Sequence, residues 1–116
     1  MRKQCHNPYM PLWEHVPDGE PHVFGDRLYV YGSHDLENGN EFCEQDYVCW
    51  SAPVTDLSDW RCDGVIYKKE QDPYNQDALP LYAPDVVKGP DGRYYLYYCI
   101  KFQDSINVAV CDTPAG

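Results

Sequence analysis

The sequence predicts an all-β fold built from propeller blades. Three observations carry this: tyrosine-rich strand runs introduced by tight turns, a unit that recurs at an offset of about 66 residues, and no amphipathic period of helical length anywhere. Eleven tyrosines, many beside Val or Leu, raise the aromatic share to 15%. Side chains of this kind suit a pleated, half-buried surface.

In chain order, Phe24-Gly25-Asp26-Arg27-Leu28-Tyr29-Val30-Tyr31 places a tight turn before an aromatic run and reads as a hairpin. Tyr47–Ser51 and Gly64–Tyr67 are further strands. Lys69–Asp77 is polar and turn-rich, which predicts a surface loop near the mouth of the channel. Gly89-Pro90-Asp91-Gly92-Arg93 followed by Tyr94–Tyr98 reads as a second hairpin, and Ile106–Val110 as the strand after it. The two hairpins repeat a carboxylate, a Val-containing strand, a Gly/Asp turn and a Tyr-rich strand in the same order, and Val48–Pro53 and Val108–Pro114 follow them at similar distances. Each unit is expected to supply about four strands, blade one over about 14–68 and blade two over about 80–116. Two blades cannot close a propeller, and Asp112–Gly116 is turn chemistry that expects another strand. The chain therefore reads as the N-terminal part of a larger propeller domain.

Composition narrows the partners. A formal net charge of -10, with Lys68-Lys69 the one adjacent basic pair after the first residues, opposes binding to nucleic acid. No apolar run approaches the roughly 20 residues of a membrane-spanning helix, so no membrane partner is expected. The basic start Met1-Arg2-Lys3 has no apolar segment behind it, which argues against a secretory signal and makes the cytoplasm the expected location. Six cysteines, none in a CxxC pair, are expected as free and mostly buried thiols. Their spacing does not suit zinc, and His6, His15 and His22 have no ligand spacing, so neither a metal nor a cofactor is expected.

Two aspartates stand out. Asp18, in Val16-Pro17-Asp18-Gly19-Glu20-Pro21, and Asp85, in Tyr82-Ala83-Pro84-Asp85-Val86, each come shortly before the first strand of a hairpin and so occupy equivalent places in the repeat. An Asp beside Pro or Gly is ordinarily a turn former, the role assigned here to Asp26, Asp56 and Asp91. Equivalent positions in successive blades face a common axis, however, and carboxylates there converge. Convergent carboxyl groups in a polar concavity are what glycosidic cleavage needs: an acid to protonate the leaving oxygen and a base to activate water.

These residues carry a resemblance. Asn7-Pro8, Pro17-Asp18 with the hairpin ending Leu28-Tyr29-Val30-Tyr31-Gly32-Ser33-His34-Asp35, and Tyr82-Ala83-Pro84-Asp85-Val86 leading into Tyr94–Tyr98 resemble glycoside hydrolase family 43 over nearly the whole chain. The resemblance implies a five-bladed propeller and an inverting enzyme of the β-xylosidase or α-L-arabinofuranosidase type, acting on hemicellulose-derived oligosaccharides. It further implies that Asp18 is the general base and that Asp85 tunes the pKa of the acid and orients it. The family places Asp-Pro at the base, whereas Asp18 is followed by Gly19-Glu20-Pro21, which makes Glu20 a rival base. The family's acid is a Glu in a Glu-Gly-Pro-like setting, and no Glu here is followed by Gly-Pro. The acid is therefore expected outside this chain, and the chain alone is expected to be inactive. Trp13, His34 and Asp35 are candidate substrate contacts, while Trp50 and Trp60 are assigned to the core. Two other functions compete: a non-catalytic carbohydrate- or protein-binding propeller, and a related fructan-acting enzyme with a nucleophilic Asp.

Overall fold

A computed structural model describes residues 7–116, so the basic start, Cys5 and His6 lie outside the described residues. Seven strands form two antiparallel sheets. The first contains β1 (Glu20–Phe24), β2 (Arg27–Gly32), β3 (Tyr47–Pro53) and β4 (Arg61–Tyr67), and the second β5 (Leu81–Lys88), β6 (Tyr94–Ile100) and β7 (Ile106–Cys111). In both sheets the strands lie side by side in chain order, the up-and-down arrangement of propeller blades. One short 3-10 helix, Lys69–Gln71, is the sole helical element among the described residues.

Turn chemistry sets both hairpins. Phe24 pairs with Arg27 across Gly25-Asp26, and Gly25 takes φ 64°, a conformation open to glycine at no steric cost. The second turn is longer. Asp91 organises it by accepting the Arg93 backbone N–H and Nε–H, both at 3.1 Å, and the Tyr95 hydroxyl at 2.7 Å. The Tyr95 and Arg93 donors together lower the Asp91 pKa to about 2.

The core lies between the sheets. Tyr29, Tyr31, Tyr47 and Cys49 of the first sheet meet Leu81, Val86, Leu96, Tyr98 and Ile100 of the second. Strand alternation selects these residues, since 29 and 31 share one face of β2, and 47 and 49 the same face of β3. Buried tyrosines need partners for their hydroxyls. Tyr47 donates to the Tyr82 carbonyl at 2.7 Å and Tyr31 to the Pro114 carbonyl at 2.6 Å, tying the first sheet to β5 and to the segment after β7. Burial raises the pKa of both phenols and of the Cys49 thiol.

Four expectations are corrected. The second sheet has three strands among the described residues where about four were expected, because nothing pairs with the outer edge of β7. The cysteines are not mostly buried: Cys43 and Cys49 are, but Cys62 is exposed and Cys99 and Cys111 are intermediate, Cys99 because alternation turns it away from the face that Tyr98 and Ile100 present to the core. Trp60 is half-buried beside Tyr9 at 4.9 Å, outside the core between the sheets. The polar segment 69–77 is not wholly a surface loop, because Asp72 and Asn75 are buried. Tyr98 donates its hydroxyl to Asp72, which obliges the Tyr67 hydroxyl, 2.8 Å from that of Tyr98, to act as donor to it. Asn75 accepts from the Leu79 N–H and donates to the Leu79 carbonyl.

Candidate active site

Asp18 lies two residues before β1 in the left-handed region, at φ 58°. Its segment can approach the end of β2 because residue 32 is glycine: a Cβ there would stand 2.5 Å from Val16 Cγ1 and 2.7 Å from the Pro17 carbonyl. The approach brings Asp18 Oδ2 to Ser33 Oγ at 3.1 Å. Ser33 is fully buried, and its oxygen also accepts the Ala83 N–H at 2.8 Å. With that amide as donor, the single hydroxyl proton of Ser33 goes to Asp18. One side chain thus joins Asp18 to the segment Ala83-Pro84-Asp85, fifty residues further along the chain.

Asp85 occupies a distorted strand. Tyr82 pairs with Cys99 and Asp85 with Tyr97, so one extra residue bulges between them. Ala83 takes φ 33° and Pro84 has no N–H to give to the ladder. Asp85 is accordingly not before β5, as expected from sequence, but inside it, at the first regular pair after the bulge. Positive φ values in non-glycine residues cost of order 1–3 kcal/mol and gather at functional sites. Here Asp18 and Ala83 both carry one, on the two sides of Ser33.

The pairing register also corrects the supposed equivalence of the two aspartates. Glu20 pairs with Tyr31 and Asp85 with Tyr97. Tyr31 and Tyr97 correspond at the repeat offset, so Glu20 is the repeat counterpart of Asp85. The shift arises because the Gly25-Asp26 turn is shorter than the Gly89–Arg93 turn. Glu20 stands exposed at the first position of β1, while Asp18, outside the ladder, is the residue joined to the second sheet.

A second cluster adjoins Asp18. Glu14, whose side chain is 6% exposed, accepts the Trp50 Nε1–H at 2.9 Å through Oε2 and lies 2.8 Å from His34 Nε2 through Oε1. His34 Nδ1 lies 3.0 Å from the Asp46 carbonyl, so both ring nitrogens have protein partners. Asp35 accepts the Cys43 N–H at 2.7 Å, and its own N–H reaches the His15 carbonyl at 3.0 Å. These contacts shape the loop between β2 and β3. Trp13 is 65% exposed, with its ring 6.0 Å from that of the buried Trp50. It offers an accessible aromatic face of the kind sugars stack on.

Sequence reading missed Ser33, Glu14 and His22 as site neighbours. Ser33 and His34 stand inside the quoted Gly32-Ser33-His34-Asp35 run, but nothing local marks the serine as a bridge. Among the described residues no group of three or more His, Cys, Asp or Glu side chains could hold a metal ion, and no helix is long and apolar enough to cross a membrane.

No family model matches the chain. A xylosidase/arabinosidase of Thermoclostridium stercorarium is 64% identical over 117 residues, covering all of this chain and 25% of the relative. A xylosidase/arabinosidase of Bacteroides ovatus is 34% identical, over 93% of this chain and 35% of the relative. The crystal structure of the GH43_1 enzyme from Xanthomonas citri complexed with xylose superposes with a TM-score of 0.72 at 30% identity, covering 93% of this chain and 32% of that one. The chain thus spans about a quarter to a third of the length of these proteins. The two sheets, their order and the sequence similarity over the whole chain agree: these 116 residues belong to glycoside hydrolase family 43 and form a part of its β-propeller.

Proposed function

We propose that the chain supplies two of the three carboxyl groups of an inverting glycoside hydrolase acting on xylose- or arabinose-containing oligosaccharides. Asp18 is the general base and Asp85 the residue that tunes the acid's pKa. The acid itself lies outside these 116 residues. The observation that carries this reading is the Ser33 bridge, which brings Asp18 to the segment bearing Asp85. The names of the 64%-identical relative and of the xylose-bound structure support the substrate class.

The chemistry follows from the geometry. Ser33 occupies Asp18 Oδ2 as a donor and leaves Oδ1 to take a proton from water. An inverting site needs that water on the sugar face opposite the leaving group, with base and acid about 6.5–9.5 Å apart. Asp85, negatively charged near the acid, raises the acid's pKa by like-charge repulsion, so the acid keeps its proton until the leaving oxygen takes it.

The test is a chimaera in which these 116 residues replace the matching part of the Thermoclostridium stercorarium relative. Asp18→Ala is expected to abolish hydrolysis of natural and aryl glycosides alike, because water activation is lost whatever the leaving group. Glu20→Ala is expected to retain a substantial part of the activity. A dead Glu20→Ala beside a near-normal Asp18→Ala would make Glu20 the base. Retention of anomeric configuration in the first-formed product, followed by proton NMR, would overturn the inverting assignment.

A further inference from the structure

His22 belongs to none of the motifs that pointed to the site. Its Nε2 nevertheless lies 2.6 Å from Asp85 Oδ1, across the boundary between the sheets. The same oxygen accepts the Val86 N–H at 2.8 Å. With Asp85 as a carboxylate, Nε2 carries the hydrogen, so one oxygen is held by two donors on different strands. Among the described residues Oδ2 takes no hydrogen bond, and the side chain remains 57% exposed.

The imidazole is itself held in place. It stacks on Phe24 at 5.8 Å with 13° between the planes and lies against Tyr31 at 6.3 Å. Phe24 in turn meets Tyr94 edge-on at 5.0 Å. A pair this exposed contributes little to stability, because solvent screens it. A ring fixed between aromatics and aimed at one carboxylate oxygen orients that carboxylate instead.

We propose that His22 is a positioning residue for Asp85. Its Nε2–H sets the carboxylate rotamer and presents Oδ2 to the site, so that the first sheet holds both aspartates, Asp18 through Ser33 and Asp85 through His22. The role rests on the reading of Asp85 given above.

Two measurements test it. In the 116-residue chain labelled with 15N-histidine, a downfield Nε2–H resonance of His22 is expected in the wild type and lost to solvent exchange in Asp85→Asn. Its absence from the wild type, or its survival in Asp85→Asn, would overturn the pairing whatever the chain's activity. In the chimaera, His22→Ala is expected to lower kcat about tenfold or more with KM nearly unchanged, as for a misplaced catalytic group. His22→Gln, whose amide N–H reaches the place of Nε2, is expected to restore most of the rate. His22→Ala is expected to cost nothing further in an Asp85→Asn background. A His22→Gln as slow as His22→Ala, or additive losses in the double variant, would overturn the role. An inactive wild-type chimaera would remove the glycosidase reading and the positioning role with it, while the NMR result would still report on the pair itself.

Discussion

Replacing Glu14 by alanine tests the packing that supports the site. Its carboxylate is 6% exposed and serves two part-buried side-chain partners, the Trp50 Nε1–H and the His34 imidazole, besides the exposed His15 backbone N–H at 3.1 Å. Trp50 is 5% exposed, so its N–H has little access to water once the acceptor is gone. A buried donor left without a partner costs about 1–3 kcal/mol. Two such losses, reduced because the shortened side chain admits some water, give an expected destabilisation of about 3 kcal/mol. For 116 residues, a total stability of roughly 6–17 kcal/mol makes this a large fraction. Urea titration followed by tryptophan fluorescence reads it directly. With m of about 1–3 kcal/mol/M, the midpoint is expected to fall by about 1–3 M. Glu14→Gln keeps a carbonyl acceptor for one partner and is expected to lose about 1 kcal/mol. A Glu14→Ala midpoint within error of the wild type would refute the reasoning. A Glu14→Gln loss as large as that of Glu14→Ala would show that charge, rather than the loss of an acceptor, dominates.

Three further outcomes follow from the same geometry. In the chimaera, Asp85→Asn removes a like charge if Asp85 lies near the general acid as proposed, so the alkaline limb of kcat/KM is expected to move to lower pH by roughly one unit; an unmoved limb would remove Asp85 from this role. Asp91 has a pKa lowered from 3.8 to about 2 by its Tyr95 and Arg93 donors, so its contribution to stability is present above about pH 4 and lost as pH falls through 2. The stability gap between wild type and Asp91→Asn is therefore expected to close over that window, and a gap constant from pH 6 to pH 2 would contradict it. With Ellman's reagent at pH 8, the exposed Cys62 is expected to react in the folded chain, whereas Cys43 and Cys49, whose thiol pKa values burial raises, react only on unfolding; prompt modification of Cys49 in the native state would refute this.

Local chemistry was enough to determine the strands and turns. Gly25-Asp26 and Gly89–Arg93 announce hairpins because few residues tolerate such turns, and the Tyr/Val runs beside them alternate faces with a period of two. The repeat offset, together with the family resemblance, made the propeller legible in the sequence. Long-range placement was not visible in the same way. Ser33 reaches Ala83 across 50 residues, His22 reaches Asp85 across 63, and Glu14 reaches Trp50 across 36. No local period encodes such contacts, which exist only once the sheets have packed. The unequal hairpin turns moved the pairing register, so that Glu20, not Asp18, became the repeat counterpart of Asp85. The sequence by itself determined the strands, the turns and the blade pattern. The tertiary structure decided which side chains were brought together, because a single inserted residue or a missing Cβ at Gly32 redirects a side chain without leaving a mark on local propensity.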